Sequence, residues 1–187
     1  MSAKKLLFLG AFVFFSGANG NGVCVSMPGV LRCSAGFVEE FPKGSFGTVT
    51  LSGTHVKNTV RVSAGFFSAE KSDLNSIDFS AGKSTFKDSR LKGNQLKIAA
   101  GHVDFDKTNV EHDIEIFSPD VVLEDSVFRN IVIPTTPQSK DVIMRIKGRS
   151  LVKGSITFTG GNGKVCIENN SKVNGRIMGA QIITSDC

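Results

Sequence analysis

Between residues 47 and 183 the chain repeats one apolar template. Leu51, Val56, Val60 and Val62 form one unit, and Ala69, Leu74, Ile77 and Phe79 the next. Phe86, Leu91, Leu96 and Ile98 follow, then Phe105, Val110, Ile114 and Ile116, then Leu123, Phe128, Ile131 and Ile133. The spacing is about eighteen residues, within the range of repeat architectures. Each unit ends in an apolar-x-apolar pair, and several begin with one, such as Val49-Thr50-Leu51 and Val103-Asp104-Phe105. A period of two is the signature of a strand, and no sustained period of 3.6 occurs in this stretch. Gly65, Gly82 and Gly101 punctuate the units, each after small residues. Short strands joined by corners in units this size predict an all-β, single-domain parallel β-helix (β-solenoid) of about seven coils.

A β-sandwich is the competing architecture, and polar columns argue against it. Arg61, Asp78, Lys97 and Glu115 occupy one position of successive units and alternate in sign. Lys71, Asp88, Lys107 and Asp125 alternate at another, and Glu70, Lys87, Asp106 and Glu124 form a third charged column. In a solenoid such residues stack about 4.8 Å apart, so opposite charges would pair and help to set register. Thr54, Ser72, Ser89, Thr108 and Ser126 make a column of hydroxyls, resumed at Ser171 after a break at Arg149. Small hydroxyl side chains suit a corner, where they bond the turning backbone.

The ends differ from the middle. Lys4 and Lys5, an apolar run from Leu6 to Phe15 and the small residues Ser16 to Gly20 read as a secretory signal over 1–20. Removing it lowers the net charge from +5 to about +3, since it carries two lysines and no acid. No other apolar run reaches membrane-span length. The remaining charges are interspersed, which excludes a basic track for nucleic acid. The four cysteines, Cys24, Cys33, Cys166 and Cys187, lie near the ends of the mature chain. An even count in an exported chain points to disulfides, with three connectivities open. Cys24–Cys33 and Cys166–Cys187 would each close a short loop. The expected organisation is a signal peptide (1–20), an N-terminal cap (21–46), the solenoid (47–183) and a tail (184–187), with residues from 160 onward contributing a second cap. Residues 134–142, with Pro134 and Pro137, read as a loop bulging from the stack.

Ser72-Asp73-Leu74, Ser89-Arg90-Leu91 and Ser126-Val127-Phe128 resemble the corners of pentapeptide-repeat proteins. The segment Val173-Asn174-Gly175-Arg176-Ile177-Met178-Gly179-Ala180 is similar to a bactofilin coil. Both resemblances imply a β-helical stack, and the second implies end-to-end assembly. Terminal caps tied by disulfides would oppose such assembly.

Little points to chemistry. His55, His102 and His112 share no column of the repeat. Asp104, Asp106, Glu124 and Asp125 form the densest acidic group, on neighbouring coils, and are the candidate catalytic residues for a polysaccharide lyase or hydrolase. Trp and Tyr are absent while Phe numbers 15, which argues against a sugar-processing groove built on the usual amphipathic aromatics. No metal site or cofactor motif is expected. The favoured expectation is an exported, non-enzymatic β-solenoid with a structural or binding role, its partner a polysaccharide or a surface protein.

Overall fold

The computed structural model describes residues 13–16, 22–135, 141–168 and 170–183. It is an all-β parallel β-solenoid of about eight turns, with no helix among the described residues. Each coil has three walls. Wall A carries the apolar-x-apolar strands, such as Val49–Leu51, paired in parallel with Phe67–Ala69. Wall B is only two residues wide, as in Arg90–Leu91 stacked between Asp73–Leu74 and Asn109–Val110. Wall C holds Ile77–Phe79, in register with Leu96–Ile98. Register partners stand one coil apart, 17 or 18 residues where coils are shortest and 24 or more where corners are enlarged.

The first strand, β1 (Val13–Ser16), pairs antiparallel with β2 (Val23–Met27), and β2 pairs antiparallel with β3 (Val30–Val38). The Cys24–Cys33 disulfide crosses the β2–β3 pair. From β3 onward the pairing is parallel: Leu31 meets Val49 and Val38 meets Val56 on β4 (Gly44–Val60). β3 is therefore a coil in its own right, and the stack is about one turn longer than the repeat arithmetic indicated. Only β1 and β2 lie outside the parallel order. At the far end the coil continues, with Gly163–Cys166 pairing in parallel with Ala180–Ile183. Cys166 faces the outer side of wall A, is 3% exposed and is not a free thiol. Its expected partner, Cys187, lies outside the described residues, as does most of the loop expected over 134–142.

Inward residues of the three walls form one continuous core. Phe67, Phe86, Phe105 and Phe128 meet in it as a chain of rings with centroids 5.0–5.6 Å apart: Phe86 stacks on its register partner Phe105, Phe67 is tilted against Phe86, and Phe128 from wall B meets Phe105 edge-on. The glycines that punctuate the repeat sit where wall C turns into wall A. A Cβ at Gly65 would lie 2.8 Å from the carbonyl oxygen of Gly47, and one at Gly82 2.7 Å from that of Gly65. Consecutive coils approach too closely there for any side chain.

The turn from wall A to wall B is built differently. One residue per coil takes the left-handed conformation: Lys71, Asp88, Lys107 and Asp125 have φ of 48–49°, and Gly53 and Gly148 fill the same place. The next residue is a hydroxyl that points inward and is buried, at Thr54, Ser72, Ser89, Thr108 and Ser126, and Ser150 and Ser171 continue the buried column. Gly148-Arg149 lengthens one corner, so Ser150 resumes the column that Arg149 interrupts in the sequence. These hydroxyls bond backbone. Ser126 Oγ donates within 2.7 Å of the Glu124 carbonyl oxygen and accepts from the Thr108 amide at 2.9 Å. Ser150 Oγ accepts from the Ser126 amide in turn, at 3.1 Å.

The charged columns form fewer pairs than their alternation suggested. On wall C, Arg61 pairs with Asp78 at 3.4 Å and Lys97 with Glu115 at 3.5 Å. Among the described residues, no ion pair within 4.0 Å joins members of the Lys71 column or of the Glu70 column. The Lys71 column occupies the left-handed corner, where backbone bonds such as Lys71 N–H to the Lys87 carbonyl (2.9 Å) hold the coils together.

Two buried serines provide opposite tests of this account. Ser126→Ala removes the acceptor for the Thr108 amide and should cost about 1–3 kcal/mol, with Ser126→Thr recovering most of it, because Thr108 occupies an equivalent place. Ser84 sits fully buried at a core position of wall A, and its Oγ has no hydrogen-bond partner. Ser84→Ala should therefore stabilise the fold by roughly 1 kcal/mol. Denaturant unfolding of the three variants measures both effects.

Candidate functional site

Wall B fixes where polar side chains can gather. Its strands are two residues long, so the second residue faces the core and the first faces out. The inner row is Val38, Val56, Leu74 and Leu91, and the outer row is Phe37, His55, Asp73 and Arg90. Stacking in register brings the outer residues into contact with no further device.

Phe37 is 49% exposed although it is a large apolar side chain. Its ring stacks on His55, with centroids 5.1 Å apart and planes at 30°. The Lys57 ammonium stands 5.7 Å from the Phe37 centroid. His55 Nδ1 lies 3.2 Å from Asp73 Oδ2, and Lys92 Nζ donates to the same oxygen at 2.7 Å. Asn75 Nδ2 donates to the Lys57 carbonyl at 2.9 Å and fixes the corner beneath the lysine. These residues line an open cavity of about 270 Å³. Partial burial pushes the Asp73 pKa up, but Lys92, with His55 and Arg90, outweighs it and holds the carboxyl below its ordinary 3.8. Asp73 is thus an anion at neutral pH, and an anion accepts from Nδ1–H. That bond leaves Nε2 of a neutral His55 as an outward acceptor.

Wall B carries a second, larger groove of about 630 Å³, lined by Asn109, Glu111, Arg129, Asn130, Lys153 and Gly154. Its charges are partly tied. Glu111 faces Arg90 at 3.7 Å and Asp113 faces Arg129 at 3.4 Å. A second histidine–aspartate pair lies on wall A, where His102 Nδ1 is 2.8 Å from Asp120 Oδ2 and Arg145 holds the other oxygen at 2.6 Å. His112 stands apart, on the turn between walls B and C.

The four acidic residues singled out from the sequence do not line either wall B cavity. Asp106 and Glu124 are register partners on wall A, with Lys87 and Lys147 in the flanking coils of that column. Asp104 stacks between Thr85 and Val122. Asp125 turns into the corner, where its Oδ1 accepts from the Arg149 amide at 2.9 Å. Stacking brings Asp106 and Glu124 together, but sends Asp125 to another part of the surface. Among the described residues, no group of three or more His, Cys, Asp or Glu side chains is placed to hold a metal ion.

The fold thus defines a parallel β-solenoid with two grooves on wall B and two more, of about 430 and 440 Å³, on wall C. No family model, curated protein or solved structure matches the chain. The signal for the wall B cluster was present in the sequence: Phe37-Val38 precedes His55-Val56 by one repeat, and His55 precedes Asp73 by the same interval. Reading 21–46 as a cap placed Phe37 outside the repeat.

Asp73 gives a pH test with a definite sign. A carboxyl whose folded pKa is lowered contributes stability above its ordinary value and loses it as pH falls through the folded value. Asp73→Asn should lower the melting temperature by a few degrees at pH 7, consistent with at most about 1 kcal/mol for a partly exposed pair. The wild-type and variant curves should converge towards pH 2. Thermal unfolding followed by circular dichroism over that range measures the effect.

Proposed function

We propose that the chain is an exported, non-enzymatic solenoid that serves as a scaffold or recognition module outside the cytoplasm. The observation that carries this reading is how the outward polar residues are used. They pair between neighbouring coils, as in Arg61–Asp78, Lys97–Glu115 and Asp120–Arg145, and so reinforce the stack. The acidic group is divided, with Asp106 and Glu124 in a lysine-flanked column, Asp104 between Thr85 and Val122, and Asp125 in a corner. It therefore lacks the enclosed pair of carboxylates that glycoside chemistry uses. Export is supported by the lysine-led apolar segment at the start of the chain and by the Cys24–Cys33 disulfide, which is compatible with an oxidising compartment. Among the described residues, no helix is long and apolar enough to cross a membrane.

A polysaccharide array tests the reading with the wild-type chain and an Asp106→Asn/Glu124→Gln double variant. The expected outcome is retention of one or more glycans without cleavage, equal in both proteins. Cleavage by the wild type that is lost in the double variant would replace this reading with an enzyme acting through the wall A carboxylates.

A further inference from the structure

We propose that wall B is a binding track for a linear polyuronate, a sugar chain bearing a carboxylate on each ring, with Phe37 and Lys57 as its anchoring subsite. The inference rests on the recognition role proposed above and names the ligand class.

Three features of wall B converge on this chemistry. The first is the anchor. A pyranose ring offers an apolar C–H face, and a uronate adds a carboxylate at its edge. Phe37 stacks on His55 yet keeps about half of its surface exposed, and the Lys57 ammonium stands over the ring, 5.7 Å from the centroid. One sugar can lie on the ring while its carboxylate meets the ammonium, so both halves of the uronate are recognised together. The outward Nε2 of His55 and the cavity of about 270 Å³ provide a hydroxyl partner and room for the ring.

The second feature is the charge left over. Asp73 is committed to Lys92, Glu111 faces Arg90, and Asp113 faces Arg129. Lys57 has only Glu39 at 3.9 Å, and both of these side chains are more than 60% exposed, so the pair is weak. Lys153, in the larger groove, forms no ion pair among the described residues. Each cavity therefore offers a cation without a firm carboxylate of its own.

The third feature is alignment. Phe37, His55, Asp73, Arg90 and Asn109 are successive members of one outward column. The anchor and the near edge of the larger groove, at Asn109, are four coils apart, about 19 Å along the axis at the parallel-strand spacing, and Lys153 lies two coils further, about 29 Å from Phe37. An extended sugar chain lying along the axis reaches from one to the other. Nucleic acid is less well served, because one exposed ring gives no run of stacking platforms for successive bases.

Isothermal titration calorimetry of the intact chain with hexagalacturonate tests the proposal. Digalacturonate, the carboxyl-reduced neutral hexamer and a single-stranded DNA oligomer are the comparison ligands. Phe37→Ala and Lys57→Gln should each raise the Kd for the hexamer about ten-fold, while Lys83→Gln on wall A leaves it unchanged. Lys153→Gln should weaken the hexamer but not digalacturonate, because only the longer ligand reaches the second groove. Melting temperatures within a degree of wild type would show that the variants remain folded. The inference is overturned if the hexamer does not bind, or if the neutral hexamer or DNA binds as well as it does. It is equally overturned if Phe37→Ala and Lys57→Gln leave the affinity unchanged. Failure here with other glycans retained on the array would remove the polyuronate assignment alone. Cleavage dependent on Asp106 and Glu124 would remove the proposed function itself.

Discussion

The solenoid depends on a buried hydroxyl at one corner of every coil from Thr54 onward. Turning from wall A to wall B requires a left-handed residue, and for a side chain other than glycine that conformation costs about 1–2 kcal/mol. The turn also brings backbone amides into a space closed to water, where an unpaired donor costs a similar amount. Thr54, Ser72, Ser89, Thr108, Ser126, Ser150 and Ser171 lie immediately beyond the turn and are buried. Where the bonds are formed in full, the hydroxyl receives an amide from the preceding coil and donates to a carbonyl of that coil or of its own, as Ser126 does with Thr108, Phe105 and Glu124. A serine or threonine fits because it is small and has both a donor and acceptors. The corner thus fixes the stacking distance, and with it the alignment of the walls.

The same logic explains which parts of the structure were legible in the sequence. Inner apolar positions were legible because a core of stacked coils filters each column for size and hydrophobicity. The hydroxyl column was legible because its role demands one narrow chemical type. The charged columns misled because alternation is necessary for pairing but not sufficient. Arg61 and Asp78 lie on a flat wall and meet, whereas Lys71 and Asp88 splay from a left-handed corner and do not. The histidine–aspartate contacts were missed because the histidines were compared with one another and not with the next coil. His55 and Asp73 become neighbours only when the repeat is laid out as rows. Ser84 follows no rule of the pattern, being a core position occupied by an unpaired hydroxyl.

Function follows the economy of the walls. Wall C pairs charges between neighbouring coils, and Asp120 pairs with Arg145 on wall A. Wall B also pairs charges between coils, as Asp73 does with Lys92 and Arg90 with Glu111, but each coil contributes only a single outward residue between two corners. Long side chains from those corners, Lys57, Lys92, Arg129 and Lys153 among them, rise beside the outward row and leave grooves between them. The narrowest wall therefore has relief of its own, and can hold a ligand along its length.

The parallel ladder also determines how the molecule would respond to force. Each coil touches only the coils before and after it, at intervals such as the 18 residues between Thr54 and Ser72. Tension applied along the chain from its last strand, Ala180–Ile183, would load one coil boundary and leave the others at rest. The stack would yield by peeling, with each step releasing about 60 Å of slack for a coil near eighteen residues. Such a rod is a graded tether that gives way in small instalments and keeps the rest of its length intact.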